Sequence, residues 1–204
     1  MNREKWIEKI VNLEWAQFDR VKNEGGRAGC QDDWNTFSIM RRSQYMAWDD
    51  NVLESYCKDL EEAETKGWNL IMEKYARMMK STAPERYAKL VAELPKRSGK
   101  REAIAEEIIR IQVAWMEEFA EKYPMMAGNA RSIHTSEDTP YNTSYETYLR
   151  GELGTYSEET FLLYGRFIAR LSGAGENLAY NIMNHTAKLY GYADVEEAER
   201  KCRG

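Results

Sequence analysis

Two polar stretches hold the residues best equipped for chemistry. The first reads Asn23-Glu24-Gly25-Gly26-Arg27-Ala28-Gly29-Cys30-Gln31-Asp32-Asp33-Trp34. The second reads Gly128-Asn129-Ala130-Arg131-Ser132-Ile133-His134-Thr135-Ser136-Glu137-Asp138-Thr139-Pro140-Tyr141. Each offers an arginine, then Cys30 or His134 three residues later, then an acidic pair, Asp32-Asp33 or Glu137-Asp138. A thiol, an imidazole base and a carboxylate that orients the imidazole are the smallest kit for nucleophilic catalysis. Cys30 precedes a helix start and follows Arg27, two features that favour a thiolate. If the stretches face one another, Cys30 and His134 share a cleft. The plainer reading is a packing cysteine and a solvated loop histidine.

A second constellation is built of carboxylates. Glu14 interrupts the apolar stripe Ile7, Ile10, Val11, Phe18 and Val21, and a buried carboxylate must be ion-paired, metal-bound or protonated. With Asp19, Glu24, Asp32, Asp33, Glu137 and Asp138 as companions, an all-oxygen site would suit Mg²⁺ or Mn²⁺. Only His134 and His185 are present, which argues against a His-rich zinc or di-iron centre. No paired Glu-x-x-Glu/Asp pattern of the helical nucleotide pyrophosphatases stands on facing stripes. The alternative to a metal is a structural ion pair from Glu14 to Arg27, Arg41 or Arg131.

A third set shares one helix face: Asp33, Phe37, Met40, Arg41, Gln44 and Trp48. Tyr145, Tyr148, Arg150 and Glu152 form its counterpart further on. Arginine forks bind carboxylate or phosphate and aromatic rings supply walls, so these faces suit a pocket for a polar small molecule. Buried salt bridges between two packed halves would produce the same pattern. Glu73, Tyr75 and Arg77 read as a solvated helix face.

Helices must position all of these groups. Strand alternation is scarce, and the helical period recurs throughout. The first helix spans Arg3 to Asn23 and stops at Gly25-Gly26. A second starts at Asp32 or Asp33 and reaches about Trp48. Asp49 caps a third carrying Val52, Leu53, Tyr56 and Leu60, and Asn69 opens a fourth. A short segment begins at Pro84. Beyond the linker Pro95–Lys100, a long helix carries Ile104, Ile108, Ile111, Trp115 and Phe119 and ends before Pro124. A polar loop runs from Met125 to Asn142, and further helices start at Ser157 and Asn177. The expectation is an all-α bundle of about 8–9 helices.

The two halves of the chain match. Trp48-Asp49-Asp50 aligns with Tyr156-Ser157-Glu158, and the register carries Phe37 onto Tyr145, Tyr56 onto Tyr164, Gly67 onto Gly175 and Asn69-Leu70 onto Asn177-Leu178. In the first helices, Glu14 falls on Gln112. Residues 1–97 and 98–204 therefore read as tandem halves, related by a pseudo-twofold axis within one compact domain.

Composition narrows the function classes. The 204 residues are 43% hydrophobic and 31% charged, as in an ordinary globular protein. A net charge of −5 with acids and bases interspersed offers no basic face to nucleic acid or anionic lipid. No Gly-rich phosphate loop is present. The absence of an apolar span or secretory signal, with three cysteines at unrelated spacings, points to the cytoplasm and away from the membrane. A homo-oligomer is compatible with this composition.

Asn23-Glu24-Gly25-Gly26-Arg27-Ala28 with Cys30-Gln31-Asp32-Asp33-Trp34, and Ser136-Glu137-Asp138-Thr139-Pro140-Tyr141 with Tyr145–Glu152, resemble a bacterial domain family of unknown function, DUF4125. The resemblance covers nearly the whole chain and implies a cytosolic protein. It brings no reaction with it.

The leading expectation is an enzyme acting on a small polar metabolite, anionic or amino-acid-like, in a cleft between the halves. Arg27, Gln31, Arg41, Gln44, Arg131, Tyr141, Tyr145 and Arg150 would bind it. Cys30, Glu14, Asp33, His134 and Asp138 would serve in acid–base or nucleophilic roles. No cofactor is required, with Mg²⁺ or Mn²⁺ the ions that would fit. The alternatives are a non-catalytic helical binding or adaptor protein and a metal-dependent hydrolase.

Overall fold

The computed structural model describes residues 2–22 and 26–202, and within them every regular element is helical. Asn23, Glu24 and Gly25, three residues of the first polar stretch, lie outside this range.

Among the described residues eleven α-helices follow one another, more than the 8–9 expected. They are α1 (Arg3–Asp19), α2 (Trp34–Met46), α3 (Asp50–Thr65), α4 (Leu70–Thr82), α5 (Pro84–Leu90) and α6 (Gly99–Lys122). After these come α7 (Pro124–Gly128), α8 (Tyr145–Thr155), α9 (Glu158–Ala174), α10 (Leu178–Leu189) and α11 (Val195–Cys202). The excess lies in short pieces. The five-residue α7 occupies what reads as loop, because one turn is too short to show a period.

Side-chain caps set most helix starts. Asn2, Asp33, Asn69, Ser98, Ser144, Ser157 and Asn177 each accept a backbone N–H from the first turn of the helix that follows. Asp49 stands at the α3 start without a capping bond, its carboxylate going to Arg170 instead (2.8 Å). Helix α1 stops at Asp19, earlier than its glycines predict. Gln31 reaches back and donates to the carbonyls of Phe18 (2.9 Å) and Val21 (3.0 Å), taking backbone acceptors at and beyond the helix end.

The core is one cluster shared by the whole chain, with Ile7, Ile10, Leu53, Leu60, Ile109, Leu153 and Ile168 almost fully buried. Within the first half α1 packs on α2, α3 and α4; within the second, α6 packs on α8, α9 and α10. The halves cross: α4 packs on α8, and α10 packs on α2. Each half therefore completes its core with a helix of the other.

Three hydrogen-bond patterns recur along the chain. Arg3 donates to the carbonyls of Met46 (2.8 Å) and Trp48 (2.6 Å) and pairs with Asp50. Arg101 donates to the carbonyls of Leu153 (3.3 Å) and Tyr156 (2.7 Å) and pairs with Glu158 at 2.9 Å. Asn69 donates to the Gln17 carbonyl (2.8 Å), as Asn177 does to that of Trp115 (3.0 Å). Tyr56 donates to Glu14 (2.8 Å), as Tyr164 does to Gln112 (2.9 Å).

No helix among the described residues is long and apolar enough to cross a membrane.

Candidate functional site

Where α1, α2, α4 and α8 meet, four charged side chains are buried together: Glu14, Arg41, Glu152 and Lys74. Arg41 holds Glu14 through a two-pronged contact, Nε to Oε2 and Nη2 to Oε1, both 2.7 Å. Tyr45 (2.7 Å) and Tyr56 (2.8 Å) donate to the same Glu14 Oε1. Glu152 takes hydrogen bonds from Gln44 (2.7 Å), Tyr156 (3.2 Å) and Arg41 (3.3 Å). Lys74 Nζ stands 3.8 Å from Glu152 and donates to Tyr148 Oη at 2.7 Å. Two carboxylates and two cations balance, as burial of charge requires.

The electrostatics follow from that geometry. Burial disfavours the Arg41 charge, but Glu14 and Glu152 outweigh it and hold its pKa well above the ordinary value. Burial works against ionised Glu152 too; Arg41, Lys74 and the Gln44 hydrogen bond overcome it and bring its pKa down to about 2. Burial drives Tyr45, Tyr56, Tyr156 and Tyr164 well above their usual values, so all four stay neutral hydroxyl donors.

Glu14, Arg41 and Gln44 thus come together as the sequence suggests, as an ion-paired keystone. The sequence reading missed Lys74 and left Glu152 out of the site. Lys74 lies on a helix read as solvated, yet it is 3% exposed, as is its neighbour Glu73, which is held by Arg77 (2.7 Å) and Trp68 (2.7 Å). Charge alone conceals which side of α4 faces α8.

The other predicted site residues separate into supports and a cleft. Arg27 is spent on Asp19 (2.6 Å), Asp32 (2.7 Å) and the Gln31 carbonyl (2.7 Å). Gln31 is the buried strut that ends α1, and Asp33 caps α2. Arg150 pairs with Glu106 (2.7 Å) and Glu146 (2.7 Å). Asp138 accepts from Ser81, from Thr147 Oγ1 (2.6 Å) and from the Ser144 amide (2.7 Å). Burial opposes its ionisation, but these donors win and lower its pKa. Tyr145 is packed against the core, and burial raises its pKa. Tyr141 is 99% exposed. Cys30 is exposed and neighbours Tyr75 electrostatically, and no hydrogen bond joins it to His134 among the described residues.

Arg131 and His134 do share a cleft. It measures about 470 Å³, lies between α6, α7 and residues 130–137, and is also lined by Ser132 and Glu137. Its walls all come from the second half, residues 116–137. The segment is pinned to the start of α8, whose Tyr145 and Glu146 amides donate to the carbonyls of Ser132 (2.8 Å) and Ile133 (3.0 Å). His134 Nε2 lies 3.1 Å from Glu117, and its amide donates to Glu137 at 3.0 Å. Ser132 Oγ is a buried hydroxyl with no hydrogen-bond partner. Arg131 lies 5.0 Å over the Tyr148 ring and donates to the Thr143 carbonyl at 3.3 Å, with no carboxylate paired to it among the described residues. Tyr148 therefore links the cleft to the buried charges through Lys74. A small residue between Arg131 and Ile133 gave no sequence signal for Ser132.

Among the described residues no group of three or more His, Cys, Asp or Glu is placed to hold a metal ion. Of the carboxylates nominated as ligands, Glu14, Asp19, Asp32, Asp33, Glu137 and Asp138 each engage a protein donor.

Residues 4–200 match the model of a family described as protein of unknown function, DUF4125. The chain belongs to that family. No curated protein and no solved structure matches it.

Proposed function

We propose that the protein is an enzyme that binds a small anionic metabolite in the cleft beside α6 and α7. The observation that carries this reading is Arg131. Arg27, Arg41 and Arg150 are paired with carboxylates; Arg131 lines the cleft with no carboxylate paired to it among the described residues, held in place by the Tyr148 ring and the Thr143 carbonyl. A pre-positioned guanidinium without a counter-ion is an anion receptor. His134, which lines the cleft with Glu117 3.1 Å from its Nε2, supplies proton transfer. The cleft falls within the ~300–1,000 Å³ typical of small-molecule sites.

The test is a thermal-shift screen of carboxylates and phosphates, followed by turnover assays on each hit. Arg131→Gln is expected to abolish the ligand-induced shift. His134→Gln is expected to keep it while lowering turnover by about 10²–10⁴-fold. Full ligand response in Arg131→Gln would overturn the reading.

A binding or adaptor role has one observation in its favour. Trp15 meets Trp34 and Phe37 edge to face, and Trp34 is more than a third exposed, as is Met40 on the same helix. This cluster adjoins the first polar stretch. The Mg²⁺ or Mn²⁺ hydrolase has less support, because protein donors occupy its nominated carboxylates.

Residues 1–97 and 98–204 are best read as tandem, pseudo-twofold-related halves. The paired bonds of Arg3 and Arg101, Asn69 and Asn177, and Tyr56 and Tyr164 support this, as does the exchange of α4 and α10. Three unpaired cysteines fit a cytoplasmic setting.

A further inference from the structure

The walls of the cleft differ in character. Met116 and Ala120, one helical turn apart on α6, together with Ala127 of α7, present apolar surface. The polar groups come from one short run of the facing segment: Arg131, Ser132 and His134. Glu137 also lines the cleft, but it is turned to the His134 amide. The site therefore has a polar wall that carries the Arg131 guanidinium and the Glu137 carboxylate and an apolar wall without a charged group.

On the reading that Arg131 holds an anion, we propose that the ligand is a monocarboxylate with a short aliphatic body. Arg131 takes the carboxylate through its planar fork. The methylenes lie along Met116, Ala120 and Ala127, where the two alanine methyls leave room for them. A phosphate dianion is a poorer match, because one guanidinium faces it with Glu137 nearby and with no Lys in the lining.

Calorimetric titration of the full chain with acetate, butyrate, hexanoate and inorganic phosphate tests this. Affinity is expected to rise with chain length by up to about fourfold per methylene, with hexanoate tightest and phosphate weakest. Ala120→Leu and, separately, Ala127→Leu fill the apolar wall. Each should weaken hexanoate at least tenfold and leave acetate unchanged, with unaltered urea midpoints showing that the fold is intact. Equal binding of acetate and hexanoate, both lost in Arg131→Gln, would overturn the aliphatic body and leave the anion site standing. Phosphate binding tighter than every carboxylate would overturn the carboxylate head. No binding by any of the four would overturn this proposal together with the anion site.

Discussion

Arg41 touches Glu14, Gln44, Tyr45 and Glu152, so its removal takes a counter-charge from two buried carboxylates at once. Arg41→Met should cost about 3–5 kcal/mol in urea unfolding, because Glu14 would remain buried without its counter-charge. Replacing Glu14 and Arg41 together by Leu and Met should cost much less than that single change. Glu152 gives a separate reading of the same network. Its folded-state pKa of about 2 lies below the ordinary 4.5. A depressed carboxylate pKa stabilises the fold fully above the ordinary value, and that stabilisation drains away as pH falls from about 4.5 through 2. The melting temperature of the native chain should therefore fall more steeply over that window than that of Glu152→Gln. Equal slopes would show that Glu152 is not held ionised. At this scale the sequence was informative for Glu14, whose place in an apolar stripe demands a partner. It was silent for Lys74, since a lysine on an amphipathic helix ordinarily reaches water.

Helices α4 and α8 approach closely because α8 carries Gly151 and Gly154 on the contact face. A Cβ at Gly151 would lie 2.8 Å from Met78 Cγ and 3.0 Å from the Lys74 carbonyl oxygen. The backbone atom cannot yield without moving α4. Gly151→Ala should therefore destabilise by about 1–3 kcal/mol, although alanine favours helix by about 1 kcal/mol. Gly173, late in α9, meets nothing within 4 Å, so Gly173→Ala should stabilise by about 0.5–1 kcal/mol. The opposite signs, read as shifts of the urea midpoint, separate packing from propensity. Helix starts were legible as caps at Asp33, Asn69, Ser157 and Asn177, because capping is a local contact. The end of α1 was not, since it depends on Gln31 folding back from the next turn of the chain.

At the scale of the molecule, the exchange of α4 and α10 makes each half depend on the other. A fragment of residues 1–97 would leave the α8-facing side of α4 and the α10-facing side of α2 uncovered. It should show little helix by circular dichroism, and the full chain should unfold in one transition with coincident fluorescence and dichroism midpoints. A stably helical fragment would refute this interdependence. The all-helical class, most caps and the core stripes of α1 and α3 were determined by the sequence, because each rests on spacing within one or two turns. Tertiary structure decided which charges are spent. Arg27, Arg41, Arg131 and Arg150 look alike along the chain; Arg27 finds Asp19 and Asp32 close by, the approach of distant helices brings carboxylates to Arg41 and Arg150, and Arg131 is left facing a cleft. The pairing of a side chain depends on what packs opposite it, and that partner can lie more than a hundred residues away, as Glu152 does from Arg41.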